Sequence, residues 1–210
     1  MRGWLNDEHG VKLTDVDWYQ AGTNEAGRTE KVEINLPKGV KLTRVECRSL
    51  SAMLAKGEID CALVARPPDC FLEGHPDVVR LFPDYLEMEE KYYARTKVWP
   101  IMHVIVIKRS ILEANPWAAG SLYNAFNASK NRALSRMYEQ SVSRYPLPWL
   151  TTYARRMRDM FGGDPFPFGI EANRPTFEQF LRYVYEQGIA HRHAAVEEIF
   201  PKGVMVEVHT

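Results

Sequence analysis

Ser49-Leu-Ser-Ala-Met-Leu-Ala-Lys-Gly57-Glu-Ile-Asp-Cys-Ala-Leu-Val-Ala65 is the stretch on which the fold reading turns. Ser49 is a good N-cap, because its hydroxyl can accept from an orphan N–H of the first helical turn. Leu50, Met53 and Leu54 then share one face of a short helix expected over residues 50–56, and Gly57 closes it. Ile59–Ala65 is an apolar run of the kind found in strands covered on both faces. A helix ending in glycine and feeding such a strand is one αβ step of a parallel sheet. The class expected is therefore α/β.

Upstream, residues 1–9 read as the tail of a helix, with Gly10 at the left-handed position that ends it. Asp15–Tyr19 is a short strand candidate. Lys31–Leu36 and Val40–Glu46 alternate apolar with polar residues, as half-buried strands do. Downstream, Arg66-Pro-Pro68 fixes an extended loop. Tyr85–Arg95 is expected to be helical, and Pro100 introduces a second apolar strand candidate, Ile101–Lys108. Asn115 is expected to cap a long helix with Pro116 at its first position, running to about Tyr138. Further helices are predicted over Trp149–Phe161, from Pro175 to the glycine at 188, and over Ala194–Phe200. Phe177, Phe180, Leu181 and Val184 stripe one face of the third of these. Strands crowd the first half and helices the second, so several helix faces have no sheet to cover them. Such unpaired faces predict association into a homo-oligomer.

Bulk composition narrows the function. Among 210 residues, Lys plus Arg and Asp plus Glu are both 27, a formal charge of zero. Nucleic acid and anionic membranes reward a basic surplus, so neither is an expected partner. Cys47, Cys61 and Cys70 make no CxxC pair and leave one over, which fits a reducing compartment and no disulfide framework. No His or Cys stands at zinc-ligand spacing, so no metal is expected. His191 and His193 lie two apart but lack a third ligand. Asn6, Asp7 and Glu8 interrupt the N-terminus before any signal-peptide core, and Ile101–Ile107 is too short to span a bilayer. The expectation is an unexported, cytoplasmic protein.

Several blocks, taken in order, carry a family resemblance: Arg66-Pro-Pro, Arg80-Leu-Phe-Pro-Asp-Tyr85, Tyr92-Tyr93, Pro100-Ile-Met-His103, Asn115-Pro-Trp117, Gly169-Ile-Glu-Ala-Asn-Arg174 and Tyr185-Glu-Gln-Gly188. Together they resemble the 4,5-dihydroxyphthalate decarboxylases, a branch of the type II periplasmic-binding-protein-like fold. The resemblance implies that residues 1–110 form one α/β lobe whose start is missing. It implies that residues 111–210 form a mainly helical segment completing the other lobe, most of which lies in a further N-terminal segment. It implies decarboxylation of a hydroxylated aromatic dicarboxylate to a catechol-type monoacid such as protocatechuate, with no cofactor that maps onto residues here. Binding-protein folds also host transport receptors, so a solute-binding protein for a small organic anion, feeding an ABC transporter, stays open. An inactive remnant of a longer protein is a third reading.

Such a reaction needs a cation for the retained carboxylate and a general acid for the ring carbon that loses carbon dioxide. Arg66 follows the run 59–65 at the strand end where open α/β sheets bind ligands, and a guanidinium holds a carboxylate by two parallel bonds. A surface ion pair is the plain alternative. His103 is the candidate acid, since imidazole ordinarily titrates near neutrality. Its apolar neighbours Ile101 and Ile105 would equally bury it as a core histidine. Glu171, Asn173 and Arg174 form a polar cluster. Either they face substrate, with Glu171 as acid/base and Arg174 as an anion contact, or Asn173 caps a helix and Glu171–Arg174 pair to fix a loop. Tyr93, with Tyr92, Trp99 and Phe168, can stack on an aromatic ring or belong to the core.

Overall fold

The computed structural model describes residues 1–28, 35–142, 144–201 and 204. The chain is mixed α/β, with eight α-helices among the described residues and a small parallel sheet. It divides into two compact units. The first comprises Met1–Tyr85 and Arg182–His193, the second Leu86–Leu181 and Ala194–Thr210.

The sheet belongs to the first unit. Strands β1 (Asp17–Gln20) and β2 (Lys41–Arg44) pair in parallel, with Trp18 opposite Leu42 and Tyr19 opposite Thr43. Two of the expected strands thus exist, and they are partners. The strand expected over Lys31–Leu36 falls largely outside the described residues.

Helix α2 (Leu50–Ala55) forms where the cap and glycine predict it. The Ser49 hydroxyl accepts from the Ala52 N–H at 3.2 Å, and Gly57 sits in the left-handed region at φ 68°. Two more orphan donors of its first turn, Leu50 and Ser51, reach the carbonyls of Gly22 and Thr23, both at 2.9 Å. Every one of these donors would otherwise be stranded at the helix start. The buried face carries Met53, 2% exposed, and Ile59 and Cys70 are buried as well. Ser51 Oγ accepts from the backbone N–H of Cys70 at 3.0 Å and so fastens α3 (Asp69–Leu72) to α2. Burying a methionine this completely contributes about 2 kcal/mol.

At the other end of the first unit, helix α1 (Arg2–His9) closes on Gly10 at φ 70°. Its Asp7 carboxylate accepts from Arg182 and from the Tyr183 hydroxyl (2.7 Å). A Cβ added at Gly3 would lie 2.3 Å from the Tyr183 ring, so only glycine lets α1 approach this closely. Trp4 packs edge-on to Phe82, against which His9 stacks.

The second unit is helical. Its elements are α4 (Tyr85–Thr96), α5 (Arg109–Ala114), α6 (Ala118–Tyr138), α7 (Leu150–Met160) and most of α8 (Arg174–Glu186), whose last turn enters the first unit. Helix α6 starts at Ala118, three residues later than its expected cap. Asn115 instead closes α5, its backbone N–H and side-chain amide both donating to the Ile111 carbonyl. The helix expected over Ala194–Phe200 is a single 3₁₀ turn, Val196–Glu198. No helix among the described residues is long and apolar enough to cross a membrane.

Two expected strands are not part of any ladder. Residues 58–60 bend and 61–64 take no regular structure, with Asp60 and Cys61 exposed inside the apolar run. Residues 101–108 are likewise irregular and unpaired, and Met102 and Val106 are 76% and 86% exposed. Apolar β-branched sequence favours a pleated, covered surface, but the ladder needs a neighbouring backbone. Among the described residues neither run has one.

Candidate functional site

The second unit holds five of the six residues singled out by sequence. The Gly-Pro-Phe loop after α7 is built by its neighbours. Asn173, in the 3₁₀ turn Glu171–Asn173, donates its side-chain amide to the carbonyls of Pro167 and Gly169, both at 2.8 Å. Gly169 takes φ 100° and passes over Tyr123 of α6, whose hydroxyl stands 3.1 Å from where a Cβ would be. The largely buried Lys130 Nζ pairs with Asp164 and lies 5.0 Å from the Phe168 ring centre.

Arg174, at the first position of α8, is the hub of the cluster. Its Nε and Nη2 donate to the two oxygens of Glu171 at 2.9 and 2.5 Å, the parallel fork that guanidinium and carboxylate favour. Its Nη1 donates to Glu197 at 2.8 Å, and Glu178 stands 3.8 Å away. These bonds hold the Glu171 carboxyl below its ordinary range and raise the guanidinium further above its own. Glu171 and Arg174 thus form an ion pair, and Asn173 ties the loop. Glu197 comes from 23 residues away, and no local signal in the sequence joins it to Arg174.

Tyr93 of α4 lies 4.2 Å from Phe161 and 6.2 Å from Trp99, ring centre to ring centre, with Trp99 edge-on to Phe161 at 5.3 Å. Burial pushes the Tyr93 phenol up. The Trp99 backbone N–H donates to the buried Thr176 hydroxyl at 3.0 Å, which ties this aromatic group to the first turn of α8. The chain then emerges as the exposed segment 100–108 carrying His103, whose imidazole is open to solvent. Arg66 is in the first unit, exposed just after the irregular residues 61–64, and no carboxylate pairs with it among the described residues. The structure thus brings Glu171, Asn173 and Arg174 into one bonded cluster and Tyr93 into an aromatic one. His103 and Arg66 are both exposed.

No group of three His, Cys, Asp or Glu residues suited to a metal ion occurs among the described residues. His191 meets the Asn35 amide at 3.5 Å, and His193 packs edge-on to Tyr185.

Comparison with known proteins places the chain more sharply than its geometry does. No family model matches it. It is 35% identical over 201 residues to a 4,5-dihydroxyphthalate decarboxylase of Comamonas testosteroni, covering 95% of this chain and 61% of the relative. It is 42% identical over 85 residues to a protein of the same name from Pseudomonas putida, covering 40% of this chain and 33% of the relative. The chain therefore spans about three fifths of the Comamonas protein's length. An identity of this level held over almost every residue does not arise from composition alone, and the chain belongs to the 4,5-dihydroxyphthalate decarboxylase family.

Proposed function

We propose that this chain carries out, or contributes most of the machinery for, decarboxylation of a hydroxylated aromatic dicarboxylate, converting 4,5-dihydroxyphthalate to protocatechuate and carbon dioxide. The supporting observation is the 35% identity to the Comamonas decarboxylase across 95% of the chain. With it we adopt the two-lobed, type II periplasmic-binding-protein-like architecture as the working fold.

The chemistry asks little of a protein. The ring hydroxyls supply electron density to the ring carbon bearing the leaving carboxylate. A proton adds to that carbon, the bond to the carboxylate then breaks, and its electron pair restores the aromatic ring as carbon dioxide departs. A general acid placed at the ring carbon accelerates this by about 10²–10⁴-fold. We assign the proton to His103, whose solvent-open imidazole can be reloaded from water after each turnover. The Glu171–Arg174 pair serves to hold the loop and the start of α8, since both groups already satisfy one another.

The test is to mix the purified protein with 4,5-dihydroxyphthalate and follow carbon dioxide release. Turnover that falls at least about 100-fold in His103→Gln, with the fold intact, is the expected result. Tight binding without release would sink the enzyme reading in favour of a solute-binding protein. Activity within about tenfold of the parent, a barrier change near 1.4 kcal/mol, would remove His103 from the role of acid.

A further inference from the structure

Between the end of α6 and the start of α7 lies a concavity of about 220 Å³, bordered by Arg136, Glu139, Arg144, Tyr145 and Trp149 among others. It lies within the second unit and involves none of the candidate site residues described above. We propose that it binds a small aromatic carboxylate, with the guanidiniums of Arg136 and Arg144 taking the carboxylate and the Trp149 indole stacking on the ring.

Charge favours an anion. Arg136 sits in the last turn of α6, where the helix dipole welcomes a cation, and no carboxylate bonds to it among the described residues. Glu139 is the one acid named on the rim. Its carboxylate is turned onto Ser141, accepting from the backbone N–H at 3.0 Å and the hydroxyl at 2.6 Å, which lowers its pKa. Two guanidiniums against one committed carboxylate leave a surplus of one positive charge. Guanidinium also suits the ligand's ring, since its plane stacks on aromatic faces as well as bonding a carboxylate bidentately.

The indole supplies the second half of the recognition. Trp149 is 82% exposed and occupies the left-handed region at φ 57°, immediately before the first residue of α7. A bulky residue pays backbone strain at such a φ, and here the ring gains almost no burial in return. A flat ligand laid on it would cover the apolar face that the fold leaves wet. Volume sets the size: 220 Å³ is below the roughly 300–1,000 Å³ of sites for drug-sized molecules. That is the scale of one ring with its carboxylates.

The inference does not rest on the decarboxylase reading, and the probes separate the two. Phthalate, which lacks the activating hydroxyls, is titrated calorimetrically into the 210-residue chain, alongside catechol and cyclohexane-1,2-dicarboxylate. Phthalate should bind more tightly than either, because catechol lacks the charge and the cyclohexane acid lacks the flat face. Arg136→Gln and Trp149→Ala should each weaken phthalate by about tenfold or more, with circular dichroism unchanged. Arg132→Gln, one turn earlier on the same face of α6, should bind as the parent does. His103→Gln should also bind phthalate normally even where it abolishes carbon dioxide release. Absence of phthalate binding at millimolar concentration overturns the site, as do unchanged affinities in both pocket variants or an equal loss in Arg132→Gln. Equal binding of the cyclohexane acid overturns the aromatic half.

Discussion

Helix α2 and the segment 101–107 are two short apolar stretches of similar length that reach opposite ends. In α2 the backbone satisfies itself, the first-turn donors find Ser49, Gly22 and Thr23, and Met53 is sealed in. In the segment 101–107 the backbone forms neither helix nor ladder, and all its residues but the half-buried Ile107 are exposed. A helix completes its hydrogen bonds from within and needs neighbours only for its apolar face. A strand needs a second backbone before its side chains can be covered at all. Apolar sequence is therefore a sufficient instruction in the first case and an incomplete one in the second.

The comparison can be tested directly by unfolding in urea. Met53→Ala removes the most deeply buried large side chain of the first unit and is expected to cost about 2–5 kcal/mol. Ser49→Ala removes the α2 cap and should cost about 1 kcal/mol. A cap bonded to a neutral hydroxyl should lose the same amount at pH 7 and at pH 4. The start of α8 makes the contrast, because it is held by charge. Arg174 keeps the Glu171 carboxyl below its ordinary 4.5, so the pair's contribution is complete above that value and is lost as pH falls below it. Glu171→Gln should therefore lower the melting temperature slightly at pH 7 and have no effect in acid below the carboxylate range. Val106→Ala, at a largely exposed position, is expected to change stability by no more than about 0.5 kcal/mol. A cost there as large as that of Met53→Ala would mean that the run is covered in solution, and the contrast would collapse.

What was legible in the sequence follows the same division. Ser49, Gly57, Gly10 and Gly188 act within a few residues of themselves, and each stands at the helix end it predicted. The helices around 85–96 and 150–160 were readable from local pattern. The pairing of β1 with β2 was not, since two alternating stretches do not announce that they are each other's partner. At the candidate site, Glu171, Asn173 and Arg174 were identifiable as a cluster because they are adjacent. Their commitment to Glu197, Pro167 and Gly169 was invisible, because geometry at that distance is made by the turns between. Lys130 and Asp164, which help fix the same loop, lay 34 residues apart and gave no signal.

The contact of Gly3 with Tyr183 sets an order of events during synthesis. Helix α1 waits for a ring made much later, since Arg182 and Asp7 are separated by 175 positions. At translation speeds of about 5–20 residues per second, α1 spends roughly 10–35 seconds outside the ribosome before its partner emerges. During that interval Trp4 has only segments made before Tyr183 against which to hide, so α1 stays open to proteases and to other chains until residues 182 and 183 follow it.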